Sequence, residues 1–250
     1  MDFMNDLKEK VAVVTGASGD IGADVALLLA KNGAKVFATY NRRKARIDPL
    51  LSQAKEEGLD VKACRLDISD EEKVRSFFSK YFRSRAPDIL VNVAGHSDKT
   101  VWFKKPDELM KSEWVDVYSV DVIGSFNCTR EAARLMKKSG GSIVNFSSSA
   151  AIYGHTEGLP YTAAKAALIA LTKSLAYVYG PKVRVNAVAP GNIDAGSIKW
   201  YTKKGVESLK QESSLRRLGD IREVSNLVLF LASDQSSFIT GQTILVDGGY

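Results

Sequence analysis

"TGASGDIG", Thr15 to Gly22, stands between a short apolar run, "VAVV" (Val11 to Val14), and a helical apolar pattern, "ADVALLLAKNGA" (Ala23 to Ala34). A turn that hands a strand to a helix and carries Gly16, Gly19 and Gly22 lets main-chain N–H groups and the positive helix end face a phosphate. The same glycines can also do no more than close a tight turn. Asp20 sharpens the question, because an acid beside a pyrophosphate is a repulsive neighbour, whereas an acid in the first turn of a helix is electrostatically welcome.

Outward from this turn, short β-branched runs alternate with longer helical patterns. The runs are "VAVVT", "KVFATY", "VKACRL", "DILVNVAG", "SIVNFSS", "VRVNAVAP" and "TILVDGG". Helical patterns occupy about residues 21–32, 44–57, 70–85, 107–138, 160–179 and 221–232. The alternation predicts an α/β fold: a doubly wound parallel sheet of the Rossmann type, about seven strands with helices on both faces, in one domain over residues 1–250. Right-handed crossovers put the loops after the strands along one edge, where ligands of this architecture bind. The segment 191–220, polar with Trp200 and Tyr201 near its middle, is the longest insertion and is read as a lid over a substrate pocket. A surface insertion with no substrate role is the alternative.

Composition narrows the class. The 250 residues are 45% hydrophobic and 26% charged, with 35 Lys and Arg against 29 acids scattered without runs, which argues for a solvated surface and against a nucleic-acid stripe. Cys64 and Cys128 lie far apart and only His96 and His155 accompany them, so neither a metal site nor a disulfide framework is expected. The opening "MDFMNDLKEK" lacks an apolar core segment and no run nears about 18 apolar residues, so the reading is a cytoplasmic protein with no membrane partner.

Several strand ends agree with the glycine turn. Asp67, closing "VKACRLD" and followed by Ile68, could accept from an adenine amino group, and "LVNVAG" ends in small residues that let a ring lie against backbone. The second run ends "TYNRRK", so Asn41, Arg42 and Arg43 stand where an acid would hold a free ribose 2′-hydroxyl. Guanidinium groups there favour the 2′-phosphate of NADP, with NAD(H) left open. A solvated helix start is the alternative for the two arginines.

The chemistry-bearing pattern is "PYTAAKAALIALTKSLAYVYG", which sets Tyr161 and Lys165 four residues apart on one helix face. A free tyrosine hydroxyl titrates near pH ~10, and a neighbouring ammonium favours its phenolate. Thirteen residues before Tyr161, Ser148 ends "GSIVNFSS" and projects a hydroxyl from a strand end toward the same region.

With those residues in view, nearly the whole chain resembles the short-chain dehydrogenase/reductase family, through "TGASGDIG", "CRLD", "NVAG", "NFSSS", "YTAAK", "RVNAVAPGNI" and "FLASDQSSFITGQTILVDGG". The last two stretches look most like the β-ketoacyl acyl-carrier-protein reductase and glucose/polyol dehydrogenase branches of the compact, single-domain type, which form homotetramers. By that resemblance Tyr161 is the general acid/base, Lys165 activates it and holds the nicotinamide ribose, and Ser148 orients the substrate oxygen. Ser18, Ile21 and the three glycines would face the phosphates with Asp20 beside them. Asn92, Ala94 and Gly95 would line the adenine-side ribose, and Pro190, Gly191 and Ile193 would flank the nicotinamide. His155 falls in a loop that lines the substrate pocket in the family, although a surface role is equally compatible.

Three departures from the family pattern stand out. The spacing T-G-x-x-G-x-x-G puts Asp20 where the compact branch has a glycine, and the acid is expected to turn away from the phosphates. Val93 replaces the second Asn of "NNAG". Asp121, in "WVDVYSVDVIGSF", stands where the family places an Asn that holds a water in a proton relay to the lysine; a carboxylate accepts but cannot donate, so a relay with a shifted pH optimum is expected. The resemblance therefore implies an NADP(H)-dependent oxidoreductase acting on a carbonyl or secondary alcohol, with a 3-oxoacyl thioester slightly favoured and Lys199, Lys203 and Lys204 as candidate carrier contacts. A sugar or polyol dehydrogenase, a non-catalytic nucleotide sensor and an extended-branch epimerase are the alternatives weighed.

Overall fold

The computed structural model describes residues 7–250; part of the segment read above for a targeting signal, residues 1–6, lies outside them. Seven parallel strands form one sheet: β1 (Val11–Thr15), β2 (Lys35–Tyr40), β3 (Val61–Arg65), β4 (Ile89–Asn92), β5 (Gly141–Phe146), β6 (Val183–Pro190) and β7 (Thr243–Val246). Their order is β3-β2-β1-β4-β5-β6-β7. Each of the seven apolar runs thus supplies a strand. The chain builds outward from β1 in one direction and then, starting at β4, in the other. A crevice opens at that switch, beyond the carboxyl ends of β1 and β4.

Because successive strand residues face opposite sides, each strand feeds two cores. Ala12 and Val14, Val36 and Ala38, and Ile89 and Val91 face one side, covered by α1 (Asp20–Lys31), α2 (Asp48–Glu56) and, arriving much later in the chain, Val224 and Val228. Val11 and Val13, Phe37 and Leu90 face the other, covered by α3 (Glu71–Tyr81) and, further on, Cys128, Met136 and Leu175. Phe78 of α3 is fully buried there, and a ring in that position contributes about 3–5 kcal/mol over alanine.

Between β4 and β5 the structure departs from the single long helix predicted over 107–138. A short helix, α4 (Lys99–Trp102), precedes a 3₁₀ turn at Pro106–Glu108, and then come α5 (Lys111–Tyr118), a π-helical turn (Ser119–Gly124) and α6 (Ser125–Met136). The Glu113 carboxylate accepts from the Met110 N–H at 2.9 Å and fixes the start of α5. At Gly124 the helix presses on Ile68, whose Cγ1 lies 2.7 Å from where a Cβ would stand. Apolar periodicity carries no sign of a π turn, which shifts the register locally and often marks a functional position. Here it carries Asp121 into the interior.

The remaining elements border the crevice: α7 (Ala150–Tyr153) and α8 (Leu159–Tyr179) after β5, then the 191–220 insertion, which folds as a 3₁₀ turn (Gly196–Trp200) and α9 (Lys203–Gln211) before α10 (Ile221–Ala232). Among the described residues no helix is long and apolar enough to cross a membrane.

Candidate active site

A cleft of about 950 Å³ runs across the carboxyl ends of the strands and is lined from Gly16 at one end to Tyr161 and Tyr201 at the other. The end near Gly16 is built by the turn from β1 into α1. Gly16 has φ +69°, and a Cβ there would stand 2.6 Å from the Ala94 Cα. A Cβ on Gly22 would run into the Gly16 carbonyl oxygen. Both glycines are thus required by close approach within the protein. Gly19 differs: its nearest neighbour would be an ordinary 3.5 Å away, so the protein leaves that side open to a bound group. Thr15 Oγ1 accepts from the Ala94 N–H at 3.2 Å and locks the ends of β1 and β4 together. Ser18, Asp20, Ile21, Ala94 and Gly95 line the same end, and the first N–H groups of α1 have no acceptor within the helix.

Asp20 reaches from this loop to the 191–220 insertion. Its Oδ2 accepts from Lys199 Nζ at 2.6 Å and from the Gly196 N–H at 3.2 Å, both on the 191–220 insertion. The Lys199 hydrogen bond, opposed by partial burial, holds its carboxyl below the usual aspartate range. The acid is a clasp between the glycine loop and the 191–220 insertion. Lys199 is engaged there, while Lys203 and Lys204 are exposed.

Asn41, Arg42 and Arg43 line the cleft beyond β2, joined by Arg46, which the sequence reading passed over although it lies on the same 3₁₀ turn that follows "NRRK". Burial would raise the Asp67 carboxyl, but hydrogen bonds from the Ser69 hydroxyl and N–H, and from Asn41, outweigh it and lower the carboxyl. Both Ser69 bonds fall on Oδ1, at 2.7 and 3.2 Å. Ile68 lines the cleft beside it. Asn92 does not place its side chain in the cleft. Its amide donates to Thr129 Oγ1 at 3.0 Å and Asn145 Oδ1 at 2.9 Å, bracing β4 against α6 and β5 inside the core. A polar residue at a strand end reads as a ligand contact in sequence, yet it serves equally well to satisfy buried neighbours.

At the chemical end, α8 starts at a left-handed Gly158, with Pro160 in its first turn, and presents Tyr161 to the cleft with Lys165 one turn deeper. Lys165 is buried; its Nζ donates to the Phe146 carbonyl at 2.9 Å and sits 5.4 Å from the Tyr161 ring centre. The Asp121 carboxylate, fully buried, pairs with that Nζ through Oδ2 at 3.1 Å. Its Oδ1 accepts from the His96 N–H at 2.5 Å. A Cβ at Gly95 would approach Oδ2 to 3.1 Å, so the bare turn after β4 is part of the same packing. Burial works against the Lys165 charge, yet Asp121 and Tyr161 outweigh it and raise the ammonium above the usual lysine range. The sequence reading expected the Asp121 charge to lie near Lys165, and the two side chains are in direct contact. Ser147 Oγ donates to the Lys165 carbonyl at 2.8 Å and anchors α8 on the end of β5, while Ser148 faces the cleft.

Pro190, Gly191 and Ile193 follow β6 along the cleft wall between these two ends. His155 also borders the cleft, with its Nδ1 engaged locally by the Glu157 N–H at 3.1 Å. Trp102 was not singled out from the sequence. Its ring lies 5.3 Å from that of Tyr161, edge to face; the only local signal was an aromatic residue shortly after the "NVAG" turn.

The family model described as Enoyl-(Acyl carrier protein) reductase matches residues 16–250. The chain belongs to the short-chain dehydrogenase/reductase family. Among relatives of this short-chain dehydrogenase/reductase, a 3-oxoacyl-[acyl-carrier-protein] reductase of Thermotoga maritima is 37% identical, with 97% of this chain and 98% of the relative covered. A 3alpha-hydroxysteroid dehydrogenase of Mediterraneibacter gnavus is also 37% identical, with 97% of each chain covered. The crystal structure of a 3-oxoacyl-[acyl-carrier protein] reductase from Brucella melitensis superposes with a TM-score of 0.92 at 31% identity, covering 99% of this chain and 93% of that one. The short-chain dehydrogenase/reductase is accordingly an oxidoreductase of a family that uses nicotinamide cofactors. The tight glycine loop, the free helix end and the basic end of β2 fit such a dinucleotide.

Proposed function

We propose that this enzyme is an NADP(H)-dependent reductase that converts a ketone to a secondary alcohol. The observation that carries the reading is the continuity of one cleft from Arg42, Arg43 and Arg46 to Tyr161, Lys165 and Ser148. The cofactor would be held by the Gly16–Gly22 turn at its phosphates, by Asp67 and Ile68 at adenine, and by Pro190, Gly191 and Ile193 at the nicotinamide, where it supplies hydride to the carbonyl carbon. The chain's own residues handle the proton and the orientation. Ser148 Oγ donates to the carbonyl oxygen and fixes its position. Tyr161 then gives its hydroxyl proton to that oxygen as negative charge develops there, and the Lys165 ammonium, held by Asp121 and the Phe146 carbonyl, stabilises the phenolate left behind. Positioning and preorganised charge supply the rate.

The relatives' names point to a 3-oxoacyl carrier thioester in one case and a hydroxysteroid in another; ketone–alcohol interconversion is common to both. NADP over NAD rests on the three arginines beyond β2, since no acid stands at Asn41 to Arg43 for a ribose diol. The enzyme assembles as a homotetramer in this reading, supported by the exposed apolar side chains Val115, Ile123, Val178 and Phe238, which a monomer would leave in water. The test is a pair of titrations with NADPH and NADH followed by nicotinamide fluorescence. The reading requires NADPH to bind at least about tenfold tighter, the equivalent of one bidentate phosphate contact; equal affinities would remove the NADP assignment.

A further inference from the structure

Five aromatic side chains, brought together from three parts of the chain, meet around Tyr161 and Trp102. Around Trp102 of α4 stand Tyr161 at 5.3 Å, His155 at 5.7 Å and Trp200 of the lid segment at 6.0 Å, measured between ring centres. Tyr201 completes the group: its hydroxyl lies 2.8 Å from the Trp102 indole nitrogen, and its ring packs edge to face on Phe103. Trp102, Tyr161, Trp200 and Tyr201 all line the cleft that also holds Ser148 and Lys165.

The group is fixed rather than fluid. Glu157 Oε2 accepts from the Trp102 indole N–H at 3.0 Å and from the Tyr201 hydroxyl, so one carboxylate ties α4 to the lid. Burial, reinforced by that carboxylate, pushes the Tyr201 hydroxyl well above the usual tyrosine range and keeps it a donor. Gly158 makes room for the indole: it is left-handed at φ +61°, a Cβ there would stand 2.6 Å from the Trp102 ring, and its N–H donates to the Trp102 carbonyl at 2.8 Å. With the polar atoms of Trp102 and Tyr201 consumed by Glu157, what these residues offer the cleft is ring surface.

Resting on the reading of this site as a ketone reductase, we infer that Trp102 and Tyr201, locked by Glu157, together with Trp200 packed on Trp102, form a specificity wall for a ketone carried on a flat, rigid ring system. Flat aromatic faces match the flat face of a fused-ring body and bury its apolar area in one contact. A preorganised wall also suits a rigid ligand, whereas a flexible acyl chain gives up rotamer freedom on binding for the same apolar contact. The wall therefore selects ring ketones over the straight-chain 3-oxoacyl thioester favoured from sequence. Glu157 is a positioning residue: it touches the wall and not the reacting atoms.

The experiment compares NADPH consumption with 1-decalone, a bicyclic ketone, and with a straight-chain 3-oxoacyl thioester of N-acetylcysteamine. Wild-type enzyme is expected to show kcat/KM at least about tenfold higher for the bicyclic ketone. Trp200→Leu should shift the ratio of the two substrates' kcat/KM about tenfold toward the thioester, Trp102→Leu, which also removes a ring packed on Tyr161, should shift that ratio the same way, and Trp102→Phe, which keeps a ring, should restore most of it. Glu157→Gln should raise KM for the bicyclic ketone with kcat nearly kept. Quenching of tryptophan fluorescence by 1-decalone is read in parallel and needs no turnover. A preference for the thioester, equal losses on both substrates, or absence of quenching in wild type overturns the wall. If 1-decalone quenches but no ketone is reduced, the reductase reading fails and the ring-binding surface stands.

Discussion

Replacing Asp121 by asparagine removes one negative charge from a fully buried pair and changes almost no volume. At 3.1 Å from Lys165 Nζ, with an effective dielectric of about 20, the attraction is about 5 kcal/mol. Releasing the carboxylate from the interior returns a desolvation cost of a few kcal/mol, so the net loss expected near neutral pH is about 2–3 kcal/mol. Asparagine can still accept from the His96 N–H through its oxygen, but its amide then faces the ammonium donor to donor. The pH dependence has a definite sign. Lys165 is raised in the folded protein, so its contribution to wild-type stability is fully present below its unfolded value of about 10.4 and is lost as pH rises through the folded one. In the variant, burial without a counter-charge disfavours the ammonium, and protonating it costs stability as pH falls. The gap between the two proteins is therefore widest at pH ~6–8 and narrows above pH ~10. Urea unfolding at fixed protein concentration across that range measures it. The same variant should also move the pH–rate profile, because the phenolate of the reacting tyrosine no longer competes with a second anion for the ammonium. A gap under about 0.5 kcal/mol, or one that does not change with pH, would refute the ion-pair reasoning.

Other parts of the site give separate outcomes. Asp20→Asn should tighten NADPH binding about two- to fivefold at low salt, by freeing Lys199 and removing a nearby anion, with the gain shrinking at high salt; a weaker binder would mean that the clasp supports the cofactor rather than competing with it. Arg42→Ala combined with Arg43→Ala should weaken NADPH about tenfold and leave NADH within about twofold, as titrations of the two cofactors would show. Phe78→Ala should lower stability by about 3–5 kcal/mol in urea unfolding with the family spectrum of ligands unchanged, since the ring lies in the core far from the cleft.

How far the sequence carried the reading differs by element. The central strands were legible because both faces are buried and the runs are continuously apolar, as in Val11–Thr15, whereas the edge strands β3, with Lys62 and Arg65 exposed, and β7, half-buried, were read from short β-branched runs alone. The glycine turn was legible because Gly16 and Gly22 have no conformational or steric substitute there. Helix spacing put Tyr161 and Lys165 on one face, but their roles came from the resemblance to the family, since such a pair occurs in many helices. The π turn at Ser119–Gly124 was not legible, since an inserted residue in a helix leaves apolar periodicity intact on either side. Asp20 was ambiguous in sequence for a related reason: its partner Lys199 is 179 residues away, and no local pattern records it. The Trp102–Glu157–Tyr201 group has the same character, being assembled by the return of the lid over α4. Asn92 was read as a site residue through the resemblance, and nothing in the sequence shows that its side chain is engaged by Thr129 and Asn145 in the core.

The most direct test of the central claim is NADPH consumption with a ketone by wild type and by Tyr161→Phe, each paired with an NADPH titration. Wild type should reduce the ketone, and the phenylalanine variant should lose at least about a thousandfold in kcat, the scale of a lost proton donor, while binding NADPH within about twofold of wild type. Undiminished turnover without the hydroxyl would contradict the assignment of Tyr161, and with it the reading of this cleft as the site of carbonyl reduction.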